Sequence, residues 1–227
     1  MKDINELLKE LHIHPNQISL FETAFTHPSY NGEAKTQHHD YERLEFMGDS
    51  IVNFVVADLI FRNFPNRQEG DMTKIRASLV RGESLAKHAR ALHLGDYILL
   101  SHGLQLNGGS DSSKVLENVF EAFMGATYMD QGFNFTYQLL RSLFIVDIQN
   151  FDESTMVDYK TSLQEEMQMD RRGVVQYKIV EQSGPAHAPI FVAEVYFNGL
   201  CLGRGHASTK KEAEQLAAKD ALSKKAG

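Results

Sequence analysis

The chain has 227 residues, 42% of them apolar and 23% charged, the balance of a protein that folds around cores and not of a disordered one. A lone cysteine, Cys201, excludes an intrachain disulfide, the sequence holds no run of roughly 20 apolar residues such as a membrane span needs, and its first residues lack a secretory apolar stretch, so a soluble, cytoplasmic protein is expected. The net charge of −7 argues against a nucleic-acid partner until it is divided: 13 Lys and Arg stand against 19 Asp and Glu through Gln149, but 10 against 11 beyond it, with Lys210, Lys211, Lys219, Lys224 and Lys225 all near the end.

From Glu6 onward the periodicity is helical, broken only at Asn31-Gly32, around Pro65 and at Asn107-Gly108-Gly109, so residues 1–149 are expected to form an all-α domain. His38, His39 and Asp40 read as loop residues, because no later histidine has ligand spacing to them. Glu42, Glu45 and Asp49 then fall at i, i+3 and i+7, along one stripe of a helix. Such a stripe is ordinarily a solvated face. From Leu44 to Phe61, however, bulky apolar residues occur on nearly every side, as in a helix buried all round, so Glu45 and Asp49 are expected to be buried charges that need a partner.

The segment from Val115 to Ala126 repeats the pattern, with Asn118 and Glu121 one turn apart. Two such helices converging would gather oxygen ligands without histidine or thiol, a set suited to Mg2+ or Mn2+ and not to zinc. The Glu-x-x-His pairs of a di-iron bundle are missing. Gly48 and Gly125 each cost about 1 kcal/mol relative to alanine inside a helix, a loss that close approach of the two helices would explain.

The polar stretch from Asn150 to Thr155 marks a change of pattern, and a linker is expected over 150–157. Residues 158–227 then read as a small α+β domain of order αβββα: a helix from about Asp158 to Met169, strands near Val174–Glu181, Pro189–Phe197 and Cys201–Ala207, and a helix from Thr209 to about Lys224. Asn198-Gly199 supplies the residues of a two-residue hairpin turn, and Thr209-x-x-Glu212 matches a capping box. Cys201 is expected to be a small core residue. Thr161, Gln164, Glu165 and Gln168 share one polar helix face, suited to 2′-hydroxyls and base edges of a shallow minor groove, although such a face alone is ordinary solvated surface. Lys210 and Lys211 oppose the dipole of the last helix from its first turn, a placement that a docked phosphate would offset.

Glu42-Arg43-Leu44-Glu45-Phe46-Met47-Gly48-Asp49-Ser50 resembles the nine-residue signature of the ribonuclease III family, with Met47 where leucine is usual. Thr26-His27-Pro28-Ser29-Tyr30 before it and Val119–Ala126 after it resemble the family's flanking motifs in order and spacing. The C-terminal pattern resembles a double-stranded-RNA-binding domain at three places: Asp158–Glu165, the Gly184-Pro185-Ala186-His187 turn and the stretch from Gly205 to Gln215, where Ala207 and Thr209 replace the commoner glycine and serine.

The resemblance implies an all-α endonuclease domain followed by an RNA-binding module. It implies magnesium-dependent hydrolysis of double-stranded RNA, with manganese as a substitute, leaving 5′-phosphate and 3′-hydroxyl ends. It further implies a homodimer that cuts both strands with a two-nucleotide 3′ overhang, and roles in RNA turnover and in processing ribosomal, messenger and transfer RNA precursors. No small-molecule substrate is implied. By the same resemblance Glu45, Glu121, Asn118 and Asp49 surround the metal, Asp49 and Glu121 are catalytic, and Glu42 lies at the RNA-facing or subunit-contact end of the stripe. Thr161, Gln164, Glu165, Gln168, His187, Lys210 and Lys211 meet RNA. Asn118 stands where the family usually has aspartate, and an amide brings an oxygen without charge, which lowers metal affinity. This departure keeps open a second reading, a double-stranded-RNA-binding regulator that cleaves weakly or not at all.

Overall fold

The structure, a computed structural model, describes residues 2–34, 36, 38–151, 159–170, 174–185 and 189–225, the side chains of 168–170 and 225 excepted. The chain divides into two compact units, Met1–Phe151 and Asp152–Gly227. Of the expected linker, all but Asn150 and Phe151 lies outside the described residues.

The first unit is built from α1 (Ile4–Glu10), α2 (Ile18–Ala24), α3 (Glu42–Asn63), α4 (Glu69–Leu79), α5 (Gly82–Ala91), α6 (His102–Leu106), α7 (Ser113–Gln131) and α8 (Phe133–Gln149). One isolated bridge, Thr26 to Leu99, is its sole β pairing among the described residues. The run of apolar residues on every side of Val115–Ala126 makes α7 the central helix, packed on α2, α3, α5 and α8. Phe21, Phe25, Phe120, Phe123 and Phe144 are fully buried around it, with Phe123 centred 6.0 Å from Phe21 and 5.7 Å from Phe25.

The helices α3 and α7 meet backbone to backbone. A Cβ on Gly48 would stand 1.7 Å from the Glu121 carbonyl oxygen, and one on Gly125 would stand 2.2 Å from that of Leu44. Both glycines are therefore demanded by helix approach, and the propensity they forfeit is the cost of that contact. The consequence is positional: Glu45 and Asp49, flanking Gly48, are carried to the side of α7 that bears Asn118 and Glu121.

Helix α3 is not buried all round. Leu44, Gly48, Val52, Val55, Val56, Leu59 and Ile60 are buried, but Phe46, Phe54 and Phe61 are 75%, 57% and 69% exposed. Spacings of eight and fifteen residues place these three rings within about 80° of helix arc. Asp49 is exposed and Glu45 half-buried, which corrects the expectation of two buried charges on this helix. Packing within the chain covers only part of the apolar surface of α3.

The second unit consists of α9 (Tyr159–Asp170), β1 (Val175–Ser183), β2 (Ile190–Phe197), β3 (Leu200–Ala207) and α10 (Lys210–Lys225). The antiparallel sheet has the order β1-β2-β3, and Ala193, Val195 and Phe197 point from its middle strand into a core shared with Leu163, Met167, Ala213, Ala217, Ala218 and Ala221. Asn198 and Gly199 turn the hairpin with φ of 50° and 82°, the left-handed pair that the two-residue turn requires.

Cys201 is exposed, against expectation. Val195 pairs with Gly203 but Tyr196 pairs with Cys201, so Leu202 is an extra residue that shifts the alternation and puts Cys201 on the outer face. The capping box is half formed: the Glu212 N–H donates to Thr209 Oγ1 at 3.2 Å, while the Glu212 carboxylate accepts from Ser208 Oγ at 3.3 Å.

Candidate metal centre and nucleic-acid interface

Glu45, Asp49, Glu117 and Glu121 feel one another's charge, beside Asn118, where α3 packs on α7. Glu121 is the one buried carboxylic residue among the described residues, 7% exposed. Burial pushes its carboxyl up to about 8, the charges of Asp49, Glu117 and Glu45 push the same way, and Lys114 opposes them. Glu45 is raised as well, first by burial and then, against the pull of Lys114, by Glu42, Glu117 and Asp49. On the exposed side Asp49 Oδ1 accepts from Asn53 Nδ2 at 2.8 Å, one turn along α3. Glu42 stands exposed at the start of α3, its N–H donating to Asp40 Oδ1 at 3.3 Å.

Asn118 Nδ2 donates to Tyr41 Oη at 3.2 Å, while its Oδ1 is buried and without a hydrogen-bond partner among the described residues. Two residues beside Asn118 and Glu121 escaped the sequence reading, Glu117 and Tyr41. Glu117 lies one turn before Glu121, pairs with Lys114 at 3.2 Å and packs so closely on Gly82, the first residue of α5, that a Cβ there would lie 2.5 Å from its Oε2. Its i, i+4 spacing to Glu121 was visible in the sequence. Nothing marked Tyr41 except its place beside Glu42.

All the donors are oxygens, the set that hard divalent cations take. Among the described residues, no three His, Cys, Asp or Glu side chains already stand close enough to hold a metal ion. The acids share one electrostatic field and not one ligating shell, as like charges that repel one another do. The raised Glu121 carboxyl and the buried Asn118 oxygen are both deficits that a cation among them removes, and on that ground these residues fit one.

Residues 17–148 match the family model described as ribonuclease-III-like, and residues 159–225 match the double-stranded RNA binding motif. The chain belongs to the ribonuclease III family. A Ribonuclease 3 of Lactococcus lactis subsp. lactis (strain IL1403) is 42% identical over 208 residues, which make up 91% of this chain and 90% of that one. The crystal structure of the nuclease domain of ribonuclease III from Campylobacter jejuni matches with a TM-score of 0.60 at 35% identity, covering 67% of this chain and 100% of that domain. A second structure of that domain, described for flexibility in a region involved in dimer formation, matches with a TM-score of 0.59 at 35% identity, over 66% of this chain and 99% of that one. The ribonuclease III signature of this chain thus forms the opening turns of α3, set by Gly48 against the middle of α7.

In the RNA-binding unit, Thr161 and Glu165 are exposed on α9 and Gln164 is half-buried, on the side away from Leu163 and Met167, which enter the core. The side chain of Gln168 and the whole of His187 lie outside the described residues. Lys210 and Lys211 open α10 and are exposed, with Lys210 Nζ 5.6 Å from the centre of the Phe191 ring. Two further lysines of that helix are engaged nearer its end: Lys219 lies over Tyr159 at 5.4 Å, and Lys224 pairs with Asp220 at 2.5 Å. Among the described residues no helix is long and apolar enough to cross a membrane.

Proposed function

We propose that this member of the ribonuclease III family is a magnesium-dependent endonuclease of double-stranded RNA, with Mn2+ as a substitute, and that its cation site is formed by Glu45, Asp49, Asn118 and Glu121. The observation that carries the reading is Glu121, a buried carboxyl held against protonation-raising neighbours at the contact of the two family motifs. A magnesium ion held there would supply an activated water and charge neutralisation at the phosphate and the leaving oxygen. Glu45, Asn118 and Glu121 hold the ion with their oxygens. The hydrogen bond from Asn53 fixes Asp49 through Oδ1, so Oδ2 is left to accept the proton of the attacking water. Glu121 shares that role, and Glu42 at the exposed end of the stripe meets the RNA or the second subunit.

Cleavage leaves 5′-phosphate and 3′-hydroxyl ends. In the second unit Thr161, Gln164, Glu165, Gln168 and His187 read the minor groove, and Lys210 and Lys211 at the start of α10 take a phosphate. The reading extends to a cytoplasmic homodimer that processes ribosomal, messenger and transfer RNA precursors and takes part in RNA turnover. The open face of Phe46, Phe54 and Phe61 supports the homodimer. In this reading residues 1–149 cut, 158–227 bind, and 150–157 connect them.

Incubating the protein with a long RNA duplex, with Mg2+ and with chelator, tests this. Shortened products with two-nucleotide 3′ overhangs, formed only with the metal, are expected. A duplex that is bound but intact with ample Mg2+ would instead favour the regulator that Asn118 keeps in view.

A further inference from the structure

An amide ligand poses a problem that a carboxylate does not. Turned one way, Asn118 offers an oxygen to a cation; turned the other, it offers an NH2 group, which a cation repels and neighbouring carboxylates attract. Left to itself beside Glu45, Asp49, Glu117 and Glu121, the amide would favour the second orientation. In the structure the NH2 group is engaged by Tyr41, with Nδ2 donating to Oη at 3.2 Å, and Oδ1 is the end left buried without a partner among the described residues. Tyr41 is itself firmly placed. It is buried, its N–H donates to the Thr26 carbonyl at 3.0 Å, and its ring stands edge-on to His27 at 5.4 Å. The His27 ring is in turn fixed by Ser29, whose N–H donates to Nδ1 at 2.9 Å and whose hydroxyl accepts from the Ser101 N–H at 3.1 Å.

We infer that Tyr41 is a positioning residue for the cation site: by accepting from the Asn118 NH2 group, its hydroxyl presents the amide oxygen, and not the nitrogen, to an ion in the site formed with Glu45, Asp49 and Glu121. This rests on the reading of those residues as a divalent-cation site. It also explains how the chain accommodates Asn118. The missing charge is not restored, but the surviving oxygen is held in the useful orientation. The need is confined to an amide, since a carboxylate at 118 presents an oxygen whichever way it turns.

The test is a double-mutant cycle on the full chain, with Tyr41→Phe, Asn118→Asp and the pair, read as the Mg2+ dissociation constant by isothermal titration without RNA. Thermal unfolding without metal checks that each variant folds, and phenylalanine keeps the ring that packs on His27. Tyr41→Phe alone is expected to weaken Mg2+ binding about tenfold, the scale of a lost partner behind a metal ligand. In the Asn118→Asp background, which is expected to bind Mg2+ more tightly than the parent, the same substitution is expected to change nothing. Equal losses in both backgrounds would mean that Tyr41 serves packing alone and would overturn the inference, as would no loss in either. A parent chain that binds no Mg2+ would overturn the cation reading, and this inference with it.

Discussion

At the scale of a single residue, Glu121 is the buried carboxyl of the proposed site. Its carboxyl is raised from 4.5 to about 8 by burial first and by its acidic neighbours second. Between those values the unfolded chain releases a proton that the folded chain keeps, so the metal-free protein loses stability as pH rises from about 4.5 to about 8 and levels off above that window. Below it both states are protonated and the group makes no difference. Glu121→Gln is expected to remove this slope. Its unfolding midpoint should exceed the parent's at pH 8 without metal and converge with it below pH 4.5, each kcal/mol of difference appearing as about 2–4 °C. Added Mg2+ should narrow the gap by raising the parent. Scanning calorimetry across pH measures this, and parallel curves for the two proteins would show that Glu121 is not held neutral by its surroundings.

At the scale of elements, the contact between α3 and α7 decides whether the acids meet at all. Propensity alone makes Gly48→Ala stabilising by about 1 kcal/mol. The 1.7 Å approach to the Glu121 carbonyl reverses the sign, because backbone on the far side cannot rotate away. Overpacking of this kind costs about 1–3 kcal/mol or more, so a lower unfolding midpoint together with lost cleavage is expected. A raised midpoint would mean that the helices stand further apart. Helix α10 makes a separate prediction. Lys210→Ala with Lys211→Ala should weaken duplex binding and flatten its dependence on salt by about two in log–log slope, one for each phosphate contact. Filter binding across salt concentrations measures it, and an unchanged slope would remove both lysines from the interface.

These elements also show what the sequence could disclose. The glycines inside apolar helices announced the contact of α3 with α7, and Asn198-Gly199 announced its hairpin, because each is a local demand on the backbone. Cys201 was misplaced because the extra residue Leu202 depends on pairing with another strand. The exposure of Asp49 was not legible either, since apolar residues on every side of α3 do not say which of them a single protomer covers. Tyr41 was invisible for a third reason: its partner, Asn118, lies on a helix far along the chain, and the bond exists only once α3 and α7 have docked.

For the whole molecule, the proposed reading has the acidic first unit cut RNA, the lysine-bearing second unit hold it, and the uncovered face of α3 meet a second copy. Phe46→Asp places a charge in that apolar stripe and is expected to leave the helical content unchanged while converting a dimer to a monomer. Sedimentation equilibrium measures it, and an unaltered mass would move the interface elsewhere. The claim on which all of this depends is that Glu121 belongs to the cleavage machinery and not to the grip on RNA. The direct measurement follows a long RNA duplex with Mg2+ under the parent and under Glu121→Gln, reading binding by gel shift and cutting by product length in the same samples. The account predicts equal binding by both proteins and cutting by the parent alone; cleavage by Glu121→Gln at the parent's rate would contradict it.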